Sequence, residues 1–135
     1  MKIKRVEHIA IAVNDMEKEG QALEHIFGLK KDYDEQIGET RLAMYPIGET
    51  SIELLEAVGP SSKVQDWINE KGQSLFHLCF EVEDIDGALA ELKEKGVALL
   101  DKEPRSGHGG SRIAFIDPKA TGNILIELAE LTDGH

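Results

Sequence analysis

Two stretches of the chain carry one pattern. "VEHIAIAVND" (residues 6–15) and "LFHLCFEVED" (residues 75–84) align without a gap, so that His8 matches His77, Ile9 matches Leu78, Ile11 matches Phe80, Val13 matches Val82 and Asp15 matches Asp84. Duplication constrains a fold strongly, because each copy must form a supersecondary unit whose apolar face is buried against a neighbour. In "NDMEKEGQALEHIFGLKK", Asp15 predicts an N-cap, Met16, Ala22, Leu23 and Ile26 form a helical apolar stripe, and Gly28 marks a stop. In "EDIDGALAELKEKGVALL", Asp84 caps, Ile85, Ala88, Leu89 and Leu92 recur at helical spacing, and Gly96 ends the run. Strand-like segments follow each helix: "TRLAMYPIG" and "TSIELLEA" in the first half, "SRIAFIDP" and "GNILIELAE" in the second. Each half therefore reads as strand, helix, then two or three strands. The expectation is an α+β fold in which two paired βαβββ modules form a curved mixed sheet around a cleft. It is one domain over residues 1–135, with a first module at 1–59, a linking helix at 60–72 and a second module at 73–135. Val64, Trp67 and Ile68 give the linking helix one apolar side, and the tail after Glu130 is expected to be loose.

Composition sets the outer limits. A chain of 135 residues that is 41% hydrophobic can bury one sizeable core. No apolar run approaches the roughly 18 residues of a membrane span, and "MKIKRVEHIA" lacks the apolar region of a signal peptide. A formal charge of −11 disfavours nucleic acid and anionic membranes as partners. The lone Cys79 excludes an internal disulfide framework and fits a reducing cytoplasm. Cytoplasmic localisation is the expectation.

Strand alternation sorts the first strand of each copy into two faces. Ile9, Ile11 and Val13, with Leu78, Phe80 and Val82, suit a helix-covered face. His8, Ala10 and Ala12, with His77 and Cys79, point the other way, and such small residues leave room for a cavity. The last strand of each module adds a carboxylate: Glu53 lies between Ile52 and Leu54, and Glu127 between Ile126 and Leu128. A carboxylate inside an apolar strand is costly unless it is paired, neutral or bound to metal. A single strand histidine or glutamate is usually a packing or solvent-facing residue, but here the pair recurs at equivalent positions. His8, Glu53, His77 and Glu127 together make a ligand set for a divalent transition metal. His25 is expected on an exposed helix face, His108 in a glycine loop and His135 at the chain end, while Cys79 reads as packing.

At these residues the sequence resembles the vicinal oxygen chelate superfamily and, within it, the methylmalonyl-CoA epimerase family. The resemblance runs from "VEHIAIAV" to "ILIELAE" and is most specific in "EPRSGHGGSRIAFIDPKATGNILIEL", residues 103–128. It implies the vicinal oxygen chelate fold, a homodimer and an acyl-CoA substrate. It places His8, Glu53, His77 and Glu127 on metal-binding positions, where some members have Gln in place of Glu53. The implied cofactor is a divalent ion: cobalt first, with nickel, manganese or zinc as alternatives. Glu127 falls on the position of a catalytic base. A second base in at least one member is a glutamate on the strand before that of Glu53; Arg41 stands there, and Glu39, two residues earlier on the same expected strand face, is the substitute. Lys102, Arg105, Arg112 and Lys119 are basic candidates for the CoA tail, and Ser111 closes the "SGHGGS" turn, whose amides can bind an anion.

The chemistry implied is epimerisation of (R)- and (S)-methylmalonyl-CoA. One acidic C2 proton is removed, an enolate forms and a proton returns to the opposite face. Glyoxalase I, a lyase acting on a glutathione hemithioacetal, would use the same ligand plan and stands as the alternative. An iron oxygenase wants two histidines and one carboxylate, so the fourth ligand disfavours it. A non-catalytic module that sequesters a metal or small ligand would show no turnover.

Overall fold

The computed structural model describes residues 1–132, so His135 and the last residues of the expected loose tail lie outside the described residues. The elements follow in the order β1 (Ile3–Ala12), α1 (Met16–Phe27), β2 (Tyr33–Ile37), β3 (Thr40–Ile47), β4 (Thr50–Ala57), α2 (Lys63–Lys71), β5 (Ser74–Val82), α3 (Ile85–Glu94), β6 (Arg105–Ser106), β7 (Arg112–Ile116) and β8 (Ile126–Glu130). Short 3-10 turns lie at His108–Gly110 and Pro118–Ala120. Each half is βαβββ, as its sequence predicts, and the class is α+β. The last strand is shorter than "GNILIELAE" suggests. Gly122 and Asn123 both have positive φ, 66° and 67°, which bends the backbone out of extended geometry before the strand begins.

The chain divides into two compact units. One contains His8–Phe76; the other joins Met1–Glu7 to the chain from His77 onward. The cut falls inside β1, so the units do not follow the module boundaries. The first residues are tied to the second half by Glu83 N–H donating to Lys2 O at 3.3 Å and by Arg5 Nε to Glu81 Oε1 at 2.6 Å.

Within the unit His8–Phe76 the strand order is β2-β3-β4-β1, with β1 parallel to β4 and the other pairs antiparallel. Ile11 and Val13 pack with Met16 and Leu23 of α1 and with Leu54 and Tyr45. On the opposite face, Ala10 and Ala12 are covered by Leu42, Met44, Leu55 and Val64, with Trp67, Ile68 and Phe76 against them. The small residues thus leave room not for a cavity, as the sequence suggests, but for the linking helix α2. Among described residues of the other unit the order is β5-β8-β7-β6, with β5 parallel to β8. Leu78, Phe80 and Val82 pack against Ile85, Leu89 and Leu92 of α3. Cys79, Ile113 and Ala129 are buried on the other face, beside Phe115, so Cys79 is the packing residue expected.

Helix starts are built alike in both halves. Asp15 accepts from Lys18 N–H and Asp84 from Gly87 N–H. The first helical amide then finds a glutamate from the module's last strand: Met16 N–H donates to Glu56 at 2.6 Å and Ile85 N–H to Glu130 at 3.0 Å. A carboxylate at a helix N-terminus satisfies an orphan donor and complements the helix dipole. No helix among the described residues is long and apolar enough to cross a membrane.

Candidate metal ligands

In β1 and β4, Ala10 pairs with Glu53, and His8 stands two residues before that partner. The parallel register brings His8 Nε2 to 3.2 Å from Glu53 Oε1, with both side chains buried. In β5 and β8, Cys79 pairs with Glu127, and His77 again stands two residues before the partner. His77 Nε2 lies 3.0 Å from Glu127 Oε1, both buried. The same two-residue stagger therefore produces the same His–Glu pair in each unit. His8, His77 and Glu127 each offer one atom suited to a metal ion. Neutral imidazole nitrogen with carboxylate oxygen is the donor chemistry of divalent transition ions, so the residues present fit such an ion. A buried carboxylate requires this kind of partner, because its desolvation is otherwise uncompensated.

The pair on β5 and β8 has further support. Phe115 opposes Glu127 across β7 and β8, and its ring meets the His77 ring edge-on, with centroids 5.1 Å apart. The Arg105 guanidinium lies over the Phe115 ring at 5.5 Å, and its Nε donates to Asp101 at 3.1 Å. Arg105 is thus a basic group tied to the His77–Glu127 face.

Other expected site residues stand elsewhere. Glu39 is in the β2–β3 turn, not on the strand, since β3 begins at Thr40. Its carboxylate accepts from Ser61 N–H at 2.8 Å, and that bond holds it below the usual carboxylate range. A Cβ at Gly59 would lie 2.1 Å from Glu39 Oε1, so a glycine there lets the carboxylate lie flat on the backbone. Met44 is the β3 residue opposite Glu53. Glu39 is five residues from Met44, on the order of 16 Å along a strand. Arg41 pairs with Glu17 of α1 at 3.3 Å, on the helix side. The β3 residues on the Glu53 face are Leu42 and Met44, both apolar and buried.

Arg112 makes a two-pronged pair with Asp86 of α3, at 2.7 and 3.0 Å. This bond lowers the Asp86 carboxyl and raises the Arg112 guanidinium. Strand alternation puts Arg112 on the face of β7 opposite to Ile113 and Phe115. Lys119 is exposed in the 3-10 turn at Pro118–Ala120. Neither belongs to the face of His77 and Glu127.

Ser111 is 1% exposed, and among the described residues its Oγ is a buried hydroxyl without a hydrogen-bond partner. Such a group costs about 1–3 kcal/mol, and native proteins retain one chiefly where function needs it. His108, expected in a glycine loop, stands in that loop but is 7% exposed, with Nε2 2.7 Å from Glu7 Oε1. Sequence reading missed both Glu7 and His108. Glu7 precedes a stronger signal at His8, and nothing in a glycine turn announces that its one imidazole folds inward.

A model of the glyoxalase/bleomycin resistance protein/dioxygenase superfamily matches residues 7–115. The chain is 33% identical to the uncharacterized protein YqjC of Bacillus subtilis over 130 residues, covering 95% of this chain and 93% of that protein. It is 31% identical to the mitochondrial methylmalonyl-CoA epimerase of Homo sapiens over 129 residues, covering 93% and 73% of the two chains. Among solved structures, a variant of Streptomyces coelicolor methylmalonyl-CoA epimerase in complex with 2-nitronate-propionyl-CoA is similar with a TM-score of 0.93 and 31% identity, over 98% of this chain and 97% of that one.

Proposed function

Because the chain belongs to the glyoxalase/bleomycin resistance protein/dioxygenase superfamily and has its vicinal oxygen chelate fold, we propose that it is a metal-dependent epimerase of methylmalonyl-CoA. The observation that carries this reading is the buried His–Glu pair formed twice, His8 with Glu53 and His77 with Glu127. Each pair would offer an imidazole and a carboxylate to a divalent ion, with cobalt the first candidate among cobalt, nickel, manganese and zinc. When bound, that ion supplies Lewis-acid neutralisation of negative charge developing on the substrate's carbonyl and carboxylate oxygens.

The chain's own residues supply the rest. Glu127 accepts the C2 proton, a water on the opposite face of the enolate returns a proton to C2 and completes the inversion, and the edge-on Phe115 ring fixes the orientation of Glu127's partner His77. Ser111 donates its hydroxyl to an oxygen of the acyl-CoA, which gives that buried group the partner it lacks among the described residues. Arg105 attracts an anionic part of the substrate toward this face. Human and Streptomyces coelicolor relatives that carry the epimerase name support the acyl-CoA class. A homodimer is the proposed assembly.

The test is deuterium exchange at C2 of methylmalonyl-CoA by the metal-loaded protein, run beside a glyoxalase assay on a glutathione hemithioacetal. Exchange with inversion at C2 and no lyase activity is the expected result. Lyase activity alone assigns the glyoxalase class instead, and turnover of neither substrate overturns the enzyme reading.

A further inference from the structure

The turn "SGHGGS" holds one inward side chain between two serines. Gly107, Gly109 and Gly110 surround His108, and Gly109 and Gly110 take positive φ, 59° and 76°. Glycine backbone resists no alternative conformation by itself, so a run like this is ordered only by what grips it. Backbone bonds close the turn locally: Ser111 N–H donates to His108 O at 3.0 Å, and Gly107 N–H donates to Ser111 O at 2.9 Å. They fix the turn's shape, and the β6–β7 ladder on either side of it, with Ser106 opposite Arg112 and Arg105 opposite Ile113, fixes its ends. Thr132 Oγ1 reaches Gly109 O only at 3.5 Å and is exposed. At the middle of the turn a buried tether is added by the imidazole of His108. Its Nε2 sits 2.7 Å from Glu7 Oε1, across 101 residues of chain, with both groups buried. Glu7 is steadied in turn by Arg5, whose Nη2 lies 3.9 Å from Glu7 Oε2 while its Nε is held by Glu81.

What this tether holds is Ser111. The turn returns on itself so closely that a Cβ at Gly107 would meet Ser111 Oγ at 2.9 Å and Ile113 Cγ2 at 2.5 Å. Ile113 is buried on the face of Cys79 and Ala129, and Ser111 precedes it by two residues. Moving His108 would therefore move the serine hydroxyl. We propose that His108, gripped by Glu7, is a positioning residue that fixes the glycine turn so that the buried Ser111 hydroxyl meets an oxygen of the bound acyl-CoA. The carboxylate can only accept, so Nε2–H donates and the ring is held with its Nε2 edge toward β1. The inference rests on the acyl-CoA reading, yet the tether is measurable without substrate.

The experiment uses full-length, metal-loaded protein with two readouts: amide hydrogen exchange at Gly107 and Ser111 without ligand, and affinity for 2-nitronate-propionyl-CoA. His108→Leu should speed exchange at both amides and weaken the ligand by about tenfold each, the loss expected for one charge-assisted hydrogen bond. His108→Gln can place an amide N–H at similar reach and should recover both to within about threefold of wild type. Glu7→Gln keeps an acceptor, serves if the leucine variant fails to fold, and should show a partial loss in both. Wild-type exchange and affinity in His108→Leu overturn the proposal. Faster exchange with unchanged affinity also overturns it, because the role is then only structural. A parallel loss of metal affinity overturns it too, since the effect would then run through His8. If wild-type protein itself does not bind the probe, the acyl-CoA reading fails, while faster exchange in His108→Leu would still establish the tether.

Discussion

Glu127 combines a buried position, a histidine at 3.0 Å and an aromatic ring directly across the ladder. Its proposed roles as ligand and base separate under conservative substitution. Glu127→Gln keeps an oxygen donor and loses basicity, so it should retain some metal while epimerisation falls by roughly 10²-fold or more, the scale of a removed general base. A wild-type rate in that variant with full metal would sink the proton-transfer role. Glu39→Gln belongs in the same assay. Its carboxylate is engaged by Ser61 N–H in a turn, about five strand residues from the Glu53 level, so turnover should stay unchanged. A large loss would reinstate Glu39 as the second base. For the metal itself, His77→Ala leaves Glu127 buried without that imidazole, and tight binding of about one divalent ion per chain should be lost with the fold kept. Dialysis followed by elemental analysis reads this directly, and wild-type occupancy in the variant would remove His77 from the ligand set.

At the scale of elements, the duplicated devices were legible and the unduplicated ones were not. His8 and His77, Glu53 and Glu127, and the caps Asp15 and Asp84 could be read because each occurs twice at one spacing. The face assignment of Glu39 failed because that residue lies outside the strand. β3 begins at Thr40, which leaves Glu39 in the turn before it. The alanine face of β1 was read as open because packing by α2 is a tertiary fact. One duplicated feature escaped notice: Glu56 and Glu130 each stand three residues after a metal-ligand candidate and accept the first amide of a helix. Each joins its helix start to the last strand of its module. Replacing Glu56 by Ala orphans the Met16 amide and should lower unfolding free energy by about 1–2 kcal/mol, while Glu56→Gln, which still accepts, should lose less than half of that. Urea melts with unchanged slope would measure both. Equal losses would mean that packing of the longer side chain, not the hydrogen bond, sets the effect.

At the scale of the whole molecule, charge sets how the chain meets its substrate. The formal charge of −11 repels an anionic acyl-CoA, and a homodimer, which light scattering would register as near twice 14.9 kDa, would double it. At about 0.01 M salt the screening length is roughly 30 Å, comparable to a small domain, so the substrate feels the whole acidic surface. At about 0.15 M it is roughly 8 Å, and only nearby groups act. Close to the His77–Glu127 face one such cation is Arg105, stacked on Phe115. Added salt therefore removes long-range repulsion faster than it removes this short-range attraction. The expected result is that kcat/KM for methylmalonyl-CoA rises by roughly threefold across that salt range, the reverse of an electrostatically steered enzyme. Arg105→Gln should lower kcat/KM at every salt concentration and leave the rise in place, since the repulsion belongs to the rest of the surface. A fall of kcat/KM with salt in the wild-type protein would show that local basic groups dominate the approach, and Arg105→Gln would then abolish the salt dependence if Arg105 is their centre.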